Sequence, residues 1–139
     1  MRRLAIVLVA VLALSGCGSS GHKAGDEEQI KSAYQAFFSG KTSIPDRVAV
    51  LQDGPRFKAL VTSFANNPLA KNVSATVSSV TLQGADKAKV VYTVKLGGSA
   101  LPTQTGSAVR QNGQWKIGFA SLCKLVSLAG STPAVCKTS

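Results

Sequence analysis

Three thiols, one imidazole and six carboxylates are the side chains of this sequence best suited to chemistry, and their spacing restricts what they can do. The one histidine, His22, lies in a run of small residues, GSSGHKAG over positions 18–25, and reads as solvated linker, not as a metal ligand. Serine nucleophiles elsewhere therefore have no histidine base, which removes a Ser-His-Asp triad. Asp26, Glu27, Glu28, Asp46, Asp53 and Asp86 fall at expected helix starts and turns, where capping and solvation account for them. No two of them are placed for acid–base work. Tyr34 and Tyr92 are candidates for a domain interior, as packing residues whose hydroxyls find a partner. The glycines around Gly97-Gly98 match no phosphate-cradling pattern. No catalytic residue, metal site or cofactor follows from these residues, and an enzyme is not expected.

The thiols divide into one and two. Cys123 and Cys136 enclose 12 residues. That spacing is not the Cys-x-x-Cys of a redox motif, and zinc would need further thiols or histidines. A structural disulfide is expected, with two free thiols as the alternative. A bridged loop of this size stabilises a domain by about 3 kcal/mol in the chain-entropy account. Cys17 stands apart. It closes a segment with a cationic start, Met1-Arg2-Arg3, and an apolar run from Leu4 to Leu14 of 11 residues, well short of the ~20 that span a bilayer. Ser15 and Gly16 supply the small side chains that a signal peptidase needs before its cleavage point.

Leu14-Ser15-Gly16-Cys17 resembles the lipobox of bacterial lipoproteins at all four positions. The resemblance implies a signal peptide over 1–16, transfer of a diacylglyceryl group to the Cys17 sulfur, and cleavage that makes Cys17 the new N-terminus. One acyl chain binds a membrane marginally, whereas two hold stably. The expected location is the extracytoplasmic face of the cell membrane, where disulfides persist. The alternative is an ordinary secretory signal with a cysteine nearby by chance.

The 139 residues carry 16 basic and 6 acidic side chains, a net charge of +10. Loss of Arg2 and Arg3 with the signal leaves 14 minus 6, or +8. The scattered lysines lack interleaved aromatic residues and export separates them from nucleic acid, so a nucleic-acid partner is not expected. Lys87, Lys89 and Lys95 form a solvated strand face; such a surface can also lie on anionic headgroups or cell-wall polymers.

Behind the tether (17–25), residues 26–139 read as one α+β domain. Asp26-Glu27-Glu28 suits a helix start, with Ile30, Ala33, Tyr34, Phe37 and Phe38 at helical spacing and Gly40 as the stop. A short helix over Ser43 to Leu51 and another over Arg56 to Ala65 follow. The period then falls to 2. Val73, Ala75 and Val77 alternate, the phase slips at Ser78-Ser79 as in a bulge, and Gly84-Ala85-Asp86 turns the chain. Ala88, Val90, Tyr92, Val94 and Leu96 mark one face of the next strand. A strand near Thr103 to Gln111 meets the hairpin signal Asn112-Gly113, and Trp115, Ile117 and Phe119 alternate in the last strand. Ser121 is expected to cap a terminal helix stopped by Gly130. These elements predict N-terminal helices packed on a four-stranded antiparallel sheet curled around the first helix.

The segments RVAVLQDGPRF, SATVSSVTLQGADKAKVVYTVKL and GSAVRQNGQWKIGFASLCKLVSLAG resemble the low-molecular-weight secreted antigen domain of actinobacteria, over most of residues 28 to 130. The resemblance implies a cystatin-like or nuclear-transport-factor-like roll. It brings no catalytic or ligand residues, and the pairing of Cys123 with Cys136 is not among the features it rests on. The expected function is a non-enzymatic, lipid-anchored surface module that binds a partner protein or envelope component. The alternative is a carrier whose cone holds an apolar small molecule or lipid, lined by Phe37, Phe38, Tyr92, Trp115 and Phe119. A deep apolar cavity favours the carrier and a filled core the surface binder.

Overall fold

The computed structural model describes residues 20–128 and 130–137. The expected signal peptide and Cys17 lie outside the described residues. Helix α1 (Ser20–Phe38) carries Ile30, Ala33, Tyr34, Phe37 and Phe38 on one face, all buried. It begins earlier than expected: residues 20–25 are its first turns, where a flexible tether was predicted. No proline interrupts them, and extending a docked helix adds one hydrogen bond for each residue fixed. The acidic trio consequently lies inside α1. Asp26 instead pairs with Arg110 at 2.9 Å.

Ser43 caps α2 (Ile44–Ala49). Its hydroxyl accepts from the Asp46 N–H at 3.3 Å and donates to the Asp46 carboxylate at 2.7 Å, while Pro45 occupies the first turn. The third helix predicted from Arg56 is two pieces, a 3-10 turn over Gly54–Phe57 and then α3 (Lys58–Ala65). A second 3-10 turn, Pro68–Asn72, delivers the chain to the sheet.

Strand β1 (Val73–Leu82) pairs antiparallel with β2 (Lys87–Leu96), with the register shift between Val77 and Ser79 that the phase slip predicts. A two-residue strand, β3 (Ser99–Ala100), folds back on the end of β2. The spatial order continues through β4 (Gln104–Gln111) to β5 (Gln114–Ile117). Asn112 and Gly113 both have positive φ, 53° and 76°, which is the geometry of a two-residue hairpin turn. The outer edge of β5 is covered. The Gln52 N–H bonds to the Ile117 carbonyl and the Ile117 N–H to the Val50 carbonyl, both at 2.8 Å, so the chain after α2 acts as a short parallel neighbour and blunts that edge.

Phe119 departs from its expected place in the last strand. The ladder ends at Gly118, whose N–H reaches the Ser107 carbonyl at 2.9 Å, and Phe119 opens helix α4 (Phe119–Leu128). Ser121 is thus inside α4, buried, and caps nothing. A last turn, α5 (Ala134–Lys137), follows. Three helices, a curled antiparallel sheet and a terminal helix make the α+β roll, with α1 lying in the concavity against β1 and β5.

Candidate functional site

The cone of the roll is filled at its centre. Tyr34 and Tyr92 lie 4.8 Å apart between ring centroids, Phe38 stacks on Tyr92 at 5.7 Å, and Phe37 meets Phe38 edge-on at 5.1 Å. Each aromatic ring buried in this way contributes about 1.5–3 kcal/mol over an exposed one. The Tyr34 hydroxyl donates to the Ser107 carbonyl at 2.7 Å, and the Ser121 hydroxyl accepts from the Ser107 N–H at 2.8 Å. Ser121 therefore does for β4 what a longer β5 would have done. Gly106 makes room for this arrangement, since a Cβ there would lie 2.6 Å from the Ser121 hydroxyl and 2.7 Å from that of Tyr34. Burial pushes the Tyr92 hydroxyl up to about 12 and that of Tyr34 further still, so both stay neutral at ordinary pH.

An open cavity begins where this aromatic filling stops, at the C-terminal end of α1. It is a cleft of about 480 Å³. Phe37 and Phe38 of α1 with Val94 and Leu96 of β2 form its back, Leu60 and Phe64 of α3 one wall, and Leu122, Leu125 and Val126 of α4 the other. Phe64 lies parallel to Phe37 at 6.5 Å, continuing the aromatic stack to the opening. Leu101, 37 % exposed, stands at the rim with Ser63, Asn67, Ser131 and Pro133. None of the lining side chains carries a charge or titrates. Such a volume is in the range of small-ligand pockets, and its walls offer desolvation and shape with three polar groups at the margin.

The disulfide builds one side of this rim. Cys123 and Cys136 are bonded at 2.05 Å with their Cα atoms 5.6 Å apart, and both sulfur-bearing residues pack against the core. Ser131 and Pro133 belong to the loop the bond closes. The staple expected from the cysteine spacing thus holds the chain end over the cleft.

The five residues read as one apolar lining do not share a cavity. Phe37 and Phe38 line the cleft, whereas Tyr92 lies beneath it in the packed centre. Trp115 is on the far flank, in a shallow depression beside the N-terminal half of α1 with Gln29, Ala33 and Val50. There the Arg110 guanidinium lies 4.8 Å from its ring centroid, and its indole N–H has no partner among the described residues. Phe119 stacks on Phe57 at 5.5 Å, away from the cleft. Alternation along β5 groups Trp115 with Ile117 correctly. It carries no information on which end of α1 each strand end meets. The α3 and α4 walls went unassigned because Leu60, Phe64, Leu122 and Leu125 follow the same helical spacing as core residues.

Among the described residues no three His, Cys, Asp or Glu side chains gather as a metal cluster, and no helix is long and apolar enough to cross a membrane.

The family description that fits this architecture is the low molecular weight antigen MTB12, C-terminal domain, which matches residues 23–133. The chain belongs to that family. The match runs from within α1 through α4, hence over every wall of the cleft, and stops before Cys136. No curated protein matches the chain. Among solved structures, this MTB12-family domain is similar to a domain of unknown function with a cystatin-like fold from Nostoc punctiforme, at 13 % identity and a TM-score of 0.42. That match covers 87 % of this chain and 92 % of the other. It is also similar to a Campylobacter jejuni protein assigned by name to the NTF2-like transpeptidases, at 11 % identity and a TM-score of 0.34, covering 73 % and 98 % of the two chains.

Proposed function

We propose that this MTB12-family chain is a non-enzymatic binding module of the cell envelope, anchored by a diacylglyceryl group on Cys17, whose cleft receives an apolar group of an envelope partner. One observation carries the reading: the cleft at the C-terminal end of α1, walled by apolar side chains and rimmed by the disulfide loop. From Ser20 to Phe37 the helix rises about 26 Å at 1.5 Å per residue. An anchor at Cys17 would attach the chain near the start of α1, with the cleft at the far end of that helix.

A carrier that takes up a lipid is the second reading, favoured by the uncharged lining. The filled centre beneath the cleft works against it, because a long chain would have nowhere to extend. A photoreactive side chain at Leu125 in the native host separates these readings. Crosslinks to one envelope protein, lost when Phe64→Asp is added, are expected; crosslinks to lipid would favour the carrier, and reaction with water alone would remove both. Intact-mass analysis of the same protein should show the acyl adduct at Cys17, and its absence would leave a freely diffusing module.

A further inference from the structure

The outward face of the sheet segregates charge. In the β1–β2–β4–β5 register, Lys87 stands opposite Val109, which stands opposite Lys116, so both lysines point away from α1. Lys89 follows in the next outward row beside Thr81, and Lys95 ends the strand beside Ser74. All six carboxylates of the chain are elsewhere: three in α1, Asp46 in α2, and Asp53 and Asp86 in turns. Between the lysines the outward positions of β1 and β2 carry hydroxyls at Ser74, Thr76, Ser79, Thr81 and Thr93, interrupted on β2 by Val91. Lys87 and Lys89 are about 6.6 Å apart along the strand, and Lys95 about 20 Å further.

We propose that this face is a docking track for a linear, hydroxyl-rich polyanion, a phosphodiester-bearing glycan or polyol of the cell envelope. Four cations against the single carboxylate of Asp86, in the turn beside Lys87, leave a net positive face that attracts a polyanion, and the hydroxyls match its polyol groups. The face is convex, since the sheet curls around α1, and a flexible polymer can follow a convex strand where a flat bilayer touches it only along a line. Nucleic acid fits poorly, because the face presents no aromatic ring on which a base could stack. The envelope source of the polymer rests on the export reading; the affinity for such a polymer does not, nor does it involve the cleft.

Mature protein in neutral detergent, titrated with polyglycerol phosphate at several salt concentrations, tests this. The fourfold variant with Lys87, Lys89, Lys95 and Lys116 each changed to Gln should bind at least about tenfold more weakly, its salt slope reduced by about 0.7 per lysine. A second variant with Lys41, Lys58, Lys71 and Lys124 changed to Gln removes the same charge from the helices and loops and should bind like the parent. Equal loss in both would reduce the effect to net charge and overturn the proposal. Tighter binding to phosphatidylglycerol vesicles or to a single-stranded oligonucleotide than to the polymer would overturn it in favour of those partners. Acetylation footprinting of the unaltered protein reads the same face without any substitution: the polymer should protect the four sheet lysines selectively, and uniform protection of all lysines would sink the assignment.

Discussion

The hydroxyl of Tyr34 reaches the carbonyl of Ser107 at 2.7 Å, a bond that ties α1 to β4 across 73 residues of chain. The same Ser107 gives its N–H to Ser121 of α4 at 2.8 Å, so one strand residue joins three elements. Removing the Ser121 hydroxyl leaves the Ser107 N–H unpaired, whereas removing the Tyr34 hydroxyl leaves the Ser107 carbonyl its bond from the Gly118 N–H. Tyr34→Phe should cost about 1–2 kcal/mol and Ser121→Ala about 1–3 kcal/mol. The two hydroxyls are 3.4 Å apart, so the losses should not add in a double-mutant cycle followed by urea denaturation. Gly106→Ala should cost more than either, because its methyl would meet both hydroxyls and the Tyr92 ring.

The tyrosines also set an alkaline limit. Burial raises both hydroxyls above their unfolded value of 10, that of Tyr92 to about 12 and that of Tyr34 beyond it. Above pH 10 the unfolded chain loses phenolic protons that the folded chain keeps. Stability should therefore be full below pH 10 and decline as pH rises toward the folded values, by up to about 1.4 kcal/mol per pH unit for each tyrosine. Urea midpoints at a series of alkaline pH values should show this fall, and Tyr34→Phe should make it shallower. A flat profile to pH 12 would mean that neither hydroxyl is held neutral by the fold.

Much of this architecture was legible because certain residues admit few conformations or one burial pattern. Asn112-Gly113 adopts the positive φ values that its hairpin requires, and the alternation from Ala88 to Val94 is the burial pattern of β2. The slip at Ser78 is a real bulge. Phe119 continues the alternation of Trp115 and Ile117, yet the strand ends at Gly118, whose N–H takes the last ladder bond before the chain turns into α4. Nothing in a period-2 pattern marks that end. The cleft was illegible for a related reason. Leu122, Leu125 and Val126 have core spacing, and whether they meet another side chain or an empty space depends on how far α3 and α4 are held apart. The start of α1 was hidden as well, since Lys23 and Ala24 suit a helix extension as well as a linker, and Gly25 favours the linker although the helix runs through it.

The disulfide loop supplies a prediction that links stability to binding. Ser131 and Pro133 form rim positions of the cleft only while Cys136 holds the chain end against α4. Replacing Cys123 and Cys136 together by Ser should cost about 3 kcal/mol. It should also abolish or weaken the crosslink from Leu125, with α1 and the sheet still folded by circular dichroism. Reductant should reproduce both effects in the parent and add nothing in the variant. A stability loss with unchanged crosslinking would show that the rim is not part of the binding surface.

Arg47 tests how the helical layer tolerates a buried cation without a carboxylate. Its side chain is 2 % exposed, lies 5.6 Å from the Phe64 ring centroid, and donates through Nη2 to the Ser39 carbonyl at 2.6 Å, just past the end of α1. Its Nε and Nη1 donors have no hydrogen-bond partner among the described residues, and desolvation lowers its pKa below the usual guanidinium value. The favourable terms are the bond to Ser39, the negative end of the α1 dipole and the aromatic face; the unfavourable one is a desolvated charge with two unused donors. These oppose one another, so the shape of the side chain should matter more than its charge. Arg47→Met keeps the length and should stay within about 1.5 kcal/mol of the parent. Arg47→Ala opens a cavity beside Phe64 and should cost about 2–4 kcal/mol. Equal losses for Met and Ala in urea denaturation would mean that the guanidinium itself stabilises this corner, through donors that find partners in solution.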